Sequence, residues 1–548
     1  MKMKLWKQAV FLLTVALAAT GSLVHAKSSY QELVTLDAEL VKFSEPEIID
    51  DVPVVNQAAI QSRNKELVRF RKRLSTLDTS SWPVSHKIDF LIVWAKLNAL
   101  AFELDVMKPW ARDPLFYLYQ VNRTPYTKLP VSAGAKDKLA RQLRVVPEIL
   151  KQAQSNLNEA VAPLADLALF HLEHFDGVGQ GQPYRDQPPE GTIGWYQDLC
   201  ARLSKQHPDL SSDCQVALTA ITAYRDWLKT RIDKMPKSAA IGIEQLNWYL
   251  THVRLVPYSV DEVLLLGKRE LHRFRFDYLV DRRKNAALPE LELTKSAVQH
   301  EQRTRLAEQQ IRELIARQQL ITMPKETPDT YETDTFWSPR AATYRHFWEQ
   351  LQFRNALNNH IHASIPGHRW DDFMNERQDN PIRLTHGDTG RAEGWGTYLE
   401  EMLVQAGITD DNPRARELFY IALIKRGSRI YAETAMHTGE MSLEEANEYM
   451  IDYVPFMEVN LGRYDLEGYL REPGAGSMYI IGKIQIERLV SERAHQLGDK
   501  FDLGEFHDEF LSKGIIPVSL IRWEMTGYDD EVRPLWEQVT AQPWISNQ

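Results

Sequence analysis

A chain of 548 residues with 43% hydrophobic and 26% charged residues is long enough to bury a substantial core, either as one large helical body or as several conventional domains. Its formal net charge of −10 disfavours a nucleic-acid partner, because phosphate binding needs a basic surface.

The chain opens MKMKLWKQAVFLLTVALAATGSLVHA: three lysines, an apolar run, then the small-residue ending Val24-His25-Ala26, the pattern of a secretory signal peptide cleaved near Ala26. The run is short of the roughly 20 apolar residues that span a bilayer, so no stable membrane span is expected in the mature chain. No cysteine follows it, which disfavours lipoprotein processing. Cleavage would remove Lys2, Lys4 and Lys7 and no acid, taking the formal charge from −10 to −13. The expected location is periplasmic or secreted. In such a compartment Cys200 and Cys214, the only two cysteines, are expected to pair, since ARLSKQHPDLSSD between them holds loop formers that turn the chain back.

Helical periodicity dominates from there on. It is clearest in AAIQSRNKELVRFRKRLSTL (58–77), HKIDFLIVWAKLNALAFELDVM (86–107), DCQVALTAITAYRDWLKTRI (213–232) and RARELFYIALIKRGSRIYAETAMH (414–437), where apolar residues return at three- and four-residue steps. Ser442 and Glu445 form the S-x-x-E capping box that starts a further helix. Extended candidates are few and short, and no repeat or low-complexity segment interrupts the pattern. The fold class is therefore mainly α: one large helical body with at most a small sheet. ITMPKETPDTYETDTFWSPR (321–340) reads as a long loop, dividing scaffold helices (27–330) from a second half (331–548) that carries the chemistry. The 14 tryptophans suit core and cleft lining.

In that second half, HASIPGH (362–368) sets two histidines six residues apart. On an unbroken helix they point about 240° apart, whereas the H-E-x-x-H metallopeptidase motif puts its pair on one face. Pro366 cannot bond back to the carbonyl of His362, and Gly367 permits a distorted backbone. A local bulge there would return His362 and His368 to one side. His360 lies about 200° from His362 and is a poor joint ligand. Downstream, TGRAEGWGTYLEEML reads as a helix on which Glu393 and Glu400 share a face, and Glu393 is available as a third ligand. By themselves, two histidines and a glutamate on helices are equally compatible with surface groups or satisfied structural ones.

The ordered segments HASIPGH, AEGWGTYLEEM (392–402), AETAMHTGEMSLEEA (432–446), GSMYIIGKIQI (476–486) and FDLGEFHDEFLSKGIIPVSL (501–520) resemble the bacterial domain-of-unknown-function 885 family. Its members are similar to zinc metallopeptidases of the gluzincin kind and carry H-E-x-x-P-G-H followed by E-G-W. KPWARDPLFYLY (108–119) looks compatible, extending the resemblance over most of the mature chain. The resemblance implies a zincin-like cleft, zinc held by His362, His368 and Glu393, and a peptide or peptide-like small substrate. It also implies that Tyr479 and His507 hydrogen-bond an oxyanion or substrate carboxylate, and that His437 plays a supporting or structural part.

Two positions depart from that pattern. Ala363 stands where the family's glutamate serves as general base, and a methyl group accepts no proton. Val490 replaces an expected arginine, although Arg488 and Arg493 are close by. Asp371, Asp372 and Glu400 are candidate substitute bases. The functional expectation is an exported metallopeptidase-like protein with impaired or altered hydrolysis, which binds or acts on peptides. The alternative is a helical envelope or peptide-binding protein without metal.

Overall fold

Asn412 begins the most deeply buried helix. Its side chain accepts from the Ala415 backbone N–H, Pro413 occupies the first turn, and Gly439 ends the run at φ 79°, so both termini follow ordinary capping chemistry. In the computed structural model, residues 30–44, 48–49, 52–122, 124–175, 189–332, 337, 345–541 and 544 are described. The N-terminal segment read as a signal peptide lies outside them.

The helices that matter below are α1 (Val84–Phe102), α2 (Gly191–Gln206), α3 (Ser211–Lys229), α4 (Val260–Lys284), α5 (Ala297–Gln318), α6 (His368–Asn375), α7 (Thr389–Gln405), α8 (Pro413–Thr438), α9 (Leu443–Tyr453), α10 (Val459–Arg471), α11 (Ala475–Leu497) and α12 (Leu503–Ser512). Helix α8 is buried on nearly every face, charged residues such as Lys425, Arg426, Arg429 and Glu433 included, and packs against α4, α9, α10 and α11. The expected capping box starts α9: the Ser442 N–H donates to Glu445 at 2.7 Å, and the Glu445 N–H donates to Ser442 Oγ at 3.2 Å. Among the described residues, regular extended structure is confined to an antiparallel ladder pairing Ile48–Ile49 with Val52–Pro53. The fold is thus mainly α with a minimal hairpin.

One hydrophobic cluster joins the N-terminal helices to the second half, setting Trp94 and Leu97 of α1 with Trp395 and Leu399 of α7 and Ile521. Another is built from α4, α8 and α11. A third gathers residues 115–228, including α2 and α3. Residues 320–332 carry no helix or strand, as a loop requires, and most of 333–344 lies outside the described residues.

Cys200 of α2 and Cys214 of α3 form a disulfide. A loop of 14 residues constrains the unfolded chain by about 3 kcal/mol. The Cys200→Ser/Cys214→Ser protein is therefore expected to unfold at a lower temperature in calorimetry, with the third cluster loosening first. Unchanged unfolding would show that the bridge constrains little.

Two helices meet in backbone contact. A Cβ on Gly394 of α7 would lie 2.6 Å from Gly482 Cα of α11, and one on Gly482 would lie 2.0 Å from the Gly390 carbonyl oxygen. Only glycine allows this approach. The crossing sets Glu393 of α7 and Tyr479 of α11 into one neighbourhood.

Candidate metal centre

The break in HASIPGH has a definite form. Residues His360–Ser364 make a single π-helical turn, Ile365 is extended, and α6 starts afresh at His368. A Cβ on Gly367 would fall 1.9 Å from the His362 carbonyl oxygen, so the chain doubles back tightly enough to require glycine there. The result is convergence of the two imidazoles, with ring centroids 4.7 Å apart and planes at 81°. Gly396 gives His362 its place against α7, since a Cβ at 396 would sit 2.5 Å from Nδ1.

Both Nε2 atoms point at one oxygen. Glu393 Oε2 lies 3.1 Å from His362 Nε2 and 3.3 Å from His368 Nε2. Ligand atoms of the three side chains all lie within 4.8 Å of one another. Zinc–ligand bonds of about 2.0–2.2 Å at tetrahedral angles separate neighbouring ligand atoms by roughly 3.3–3.5 Å, so the spacing fits a tetrahedral edge. On its other side, His362 Nδ1 stands 2.9 Å from Glu400 Oε1, which Arg426 Nη2 approaches at 2.7 Å. His362 thus stands between two carboxylates, with Nε2 facing Glu393 and Nδ1 close to Glu400. Two electron-rich atoms at that distance need a proton or a cation between them. A carboxylate behind a histidine is also what fixes the ring of a metal ligand. The donor set and its orientation therefore fit a divalent ion such as zinc.

Electrostatics agree with close coupling. Burial works against ionisation of Glu393, but the hydrogen bonds and charges of His362 and His368 outweigh it and hold the carboxyl well below its usual range. Burial likewise opposes the charged form of His368, yet Glu393 raises its proton affinity above the ordinary imidazole value.

The other expected residues fall in different places. Tyr479 lies parallel to the His362 ring at 6.1 Å and is half-buried. Burial pushes its hydroxyl up, and the charge of Glu393 pushes it further. His507 has both ring nitrogens engaged in the core: Nε2 meets the Tyr398 hydroxyl at 2.8 Å, and Nδ1 donates to the Leu320 carbonyl at 2.7 Å. Burial holds it down to about 4. The buried His437 sets Nε2 3.0 Å from the Tyr469 carbonyl oxygen, eleven residues or about 16 Å along α8 from Arg426. His360 pairs with Glu308 at 3.0 Å, consistent with its unfavourable phase relative to His362.

Two of the three candidate substitute bases are engaged by arginines, and the third is open to solvent. Glu400 is fully buried between His362 and Arg426. Asp371 is chelated by Arg391 at 3.0 and 3.1 Å, and Asp372 is exposed one helical turn after His368 on α6, close enough for its charge to act on that histidine. The arginines near Val490 are engaged elsewhere, Arg488 with Glu492 at 2.9 Å and Arg493 with Glu509 at 3.2 Å. Sequence reading did not find the Arg426–Glu400 and Arg391–Asp371 pairs. Their signal was available as charged residues within runs otherwise apolar enough to be buried.

A mainly helical protein with a His, His, Glu constellation is the class that fold and site define. Residues 285–525 match the family described as "Bacterial protein of unknown function (DUF885)", a span that includes every site residue above and excludes 108–119. No curated protein matches the chain significantly. Among solved structures, "a putative lipoprotein of unknown function from Shewanella oneidensis" superposes with TM-score 0.64 at 16% identity, over 91% of this chain and 98% of that one. "The putative lipoprotein from Colwellia psychrerythraea" gives 0.63 at 16% identity, over 94% and 99%. At that identity the likeness shows a shared fold.

Proposed function

We propose that this chain is an exported, zinc-binding, metallopeptidase-like protein that binds peptides and hydrolyses them slowly. The observation that carries the reading is the convergence of both Nε2 atoms on Glu393 Oε2, with the Glu400 carboxylate 2.9 Å behind His362. The chemistry a zinc ion supplies when bound is Lewis-acid polarisation of a carbonyl. Around it, His362, His368 and Glu393 hold and orient, and the Tyr479 hydroxyl, kept protonated by burial and Glu393, donates to the oxygen on which charge develops. Ala363 supplies no base, which removes a contribution typically worth about 10²–10⁴-fold. Export is supported by the lysine-rich start, the apolar run and the V-H-A ending, and by the lipoprotein titles of the two structural neighbours. Among the described residues no helix is long and apolar enough to cross a membrane.

The test is metal content. Purified protein, dialysed against zinc, is expected to hold close to one ion per chain. His368→Ala and Glu393→Ala should abolish it, while Glu400→Gln, which keeps all three ligands, should weaken affinity about 10–100-fold. Because Glu393 raises the proton affinity of His368, uptake must displace a proton there and should be tighter at pH 8 than at pH 6. Absence of bound zinc in replete buffer would return the protein to the metal-free envelope reading.

A further inference from the structure

Helix α8 carries KRGSR (425–429) through the interior, with Lys425, Arg426 and Arg429 all buried. Among the described residues two carboxylates answer these three cations. Asp465 takes Lys425 at 2.6 Å and Arg429 at 2.9 Å, and Glu400 takes Arg426 at 2.7 Å. Each arginine therefore spends one nitrogen on its partner. The Nε and Nη1 atoms of both are buried and find no hydrogen-bond partner among the described residues, and neither do the side-chain oxygen and nitrogen of the buried Asn358, whose short helix packs against α8. Leaving a buried donor unmade costs about 1–3 kcal/mol, more for a charged group. Both Glu400 oxygens also lack a hydrogen-bond partner among the described residues, so Arg426 is the less available of the two, whereas Arg429 offers a guanidinium fork suited to a carboxylate.

The cluster adjoins the trio. Arg426 reaches it through Glu400, and Tyr479 lies between, its ring 6.1 Å from that of His362 and 4.4 Å from the Arg429 guanidinium carbon. Burial and the neighbouring Arg429 push the Lys425 ammonium down to about 7, as expected where positive charge is in excess. A peptide advances about 3.3–3.6 Å per residue, so one or two residues beyond a carbonyl held at the trio bring a terminal carboxylate to these guanidinium groups.

We infer that Arg426 and Arg429, with Asn358, form a carboxylate subsite that receives the free C-terminus of a short peptide, making the protein a reader of C-terminal ends. This rests on the peptide-binding reading above, but it is measurable without metal. The probes are N-acetyl-Ala-Ala with a free carboxylate and its C-terminal amide, titrated calorimetrically into the full chain in EDTA and again in zinc. The free acid is expected to bind at least about tenfold tighter than the amide in both conditions, the gain of a charge-assisted bond. Arg429→Met should bring the two within about twofold. That substitution leaves Asp465 paired with Lys425, and Arg429→Lys, which keeps the charge and loses the fork, should retain an intermediate preference. Equal binding of acid and amide by the wild type overturns the subsite even if zinc is bound. A preference unaffected by Arg429→Met overturns the assignment to these residues. Preference for the acid in EDTA together with no zinc uptake would uphold the subsite while the metal reading fails.

Discussion

Ala363→Glu is expected to raise peptide turnover by about 10²–10⁴-fold without changing zinc content, the range attributed to a placed general base. The position allows it. Ala363 is partly exposed, whereas His362 and Ser364 on either side of it in the π turn are buried, so a longer side chain at 363 has room on the open side. His362 need not move, because the close approach of Gly396 packs its ring against α7. A glutamate at 363 would accept the proton of the attacking water and later return it to the leaving amine. The measurement is single-turnover hydrolysis of a peptide panel by the zinc-loaded wild-type and variant proteins at matched metal content. An unchanged rate with zinc retained would show that position 363 does not face the reacting carbonyl. Brisk wild-type hydrolysis would show that another residue already serves as base.

How much of this was legible beforehand depended on the range of the interaction. The break at Pro366-Gly367 was readable because it follows from one missing N–H and one missing Cβ, and the structure gives it the form of a π turn followed by a new helix. Glu393 and Glu400 were readable as sharing a face from their seven-residue spacing. What each does was not, because that is decided by Arg426, which arrives from another helix and claims Glu400. The same limit applies to Tyr479 and His507, which enter on equal terms by resemblance. The Gly394–Gly482 crossing brings Tyr479 beside Glu393, while Tyr398 and the Leu320 carbonyl take both nitrogens of His507. A division at residue 331 follows composition along the chain, whereas burial joins α1 to α7 across it.

Arg391→Met is expected to lower the melting temperature and to weaken zinc binding together. Arg391 is fully buried on α7, two residues before Glu393. It holds both oxygens of Asp371 on α6, three residues after His368, at 3.0 and 3.1 Å. Its guanidinium also lies 4.3 Å from the centre of the Phe510 ring and 5.4 Å from that of Trp395, whose indole N–H donates to the Pro366 carbonyl at 2.9 Å. One side chain thus ties the helix bearing Glu393 to the helix bearing His368. Removing one partner of a buried pair strands the other charge and costs about 3–5 kcal/mol. Loosening the spacing between His368 and Glu393 should add the 10–100-fold loss of metal affinity typical of disturbed support behind ligands. Since zinc stabilises the folded state by an amount that grows with the logarithm of its affinity, the wild type should gain more in melting temperature on zinc addition than the variant does. The double variant Asp371→Leu/Arg391→Met removes both charges, so its melting temperature should lie above that expected from adding the single effects. It should not recover zinc affinity, because an apolar contact lacks the two directed bonds that set the distance between α6 and α7. Additive losses in melting temperature, or zinc affinity unchanged by Arg391→Met, would show that the pair packs the core without positioning the ligands.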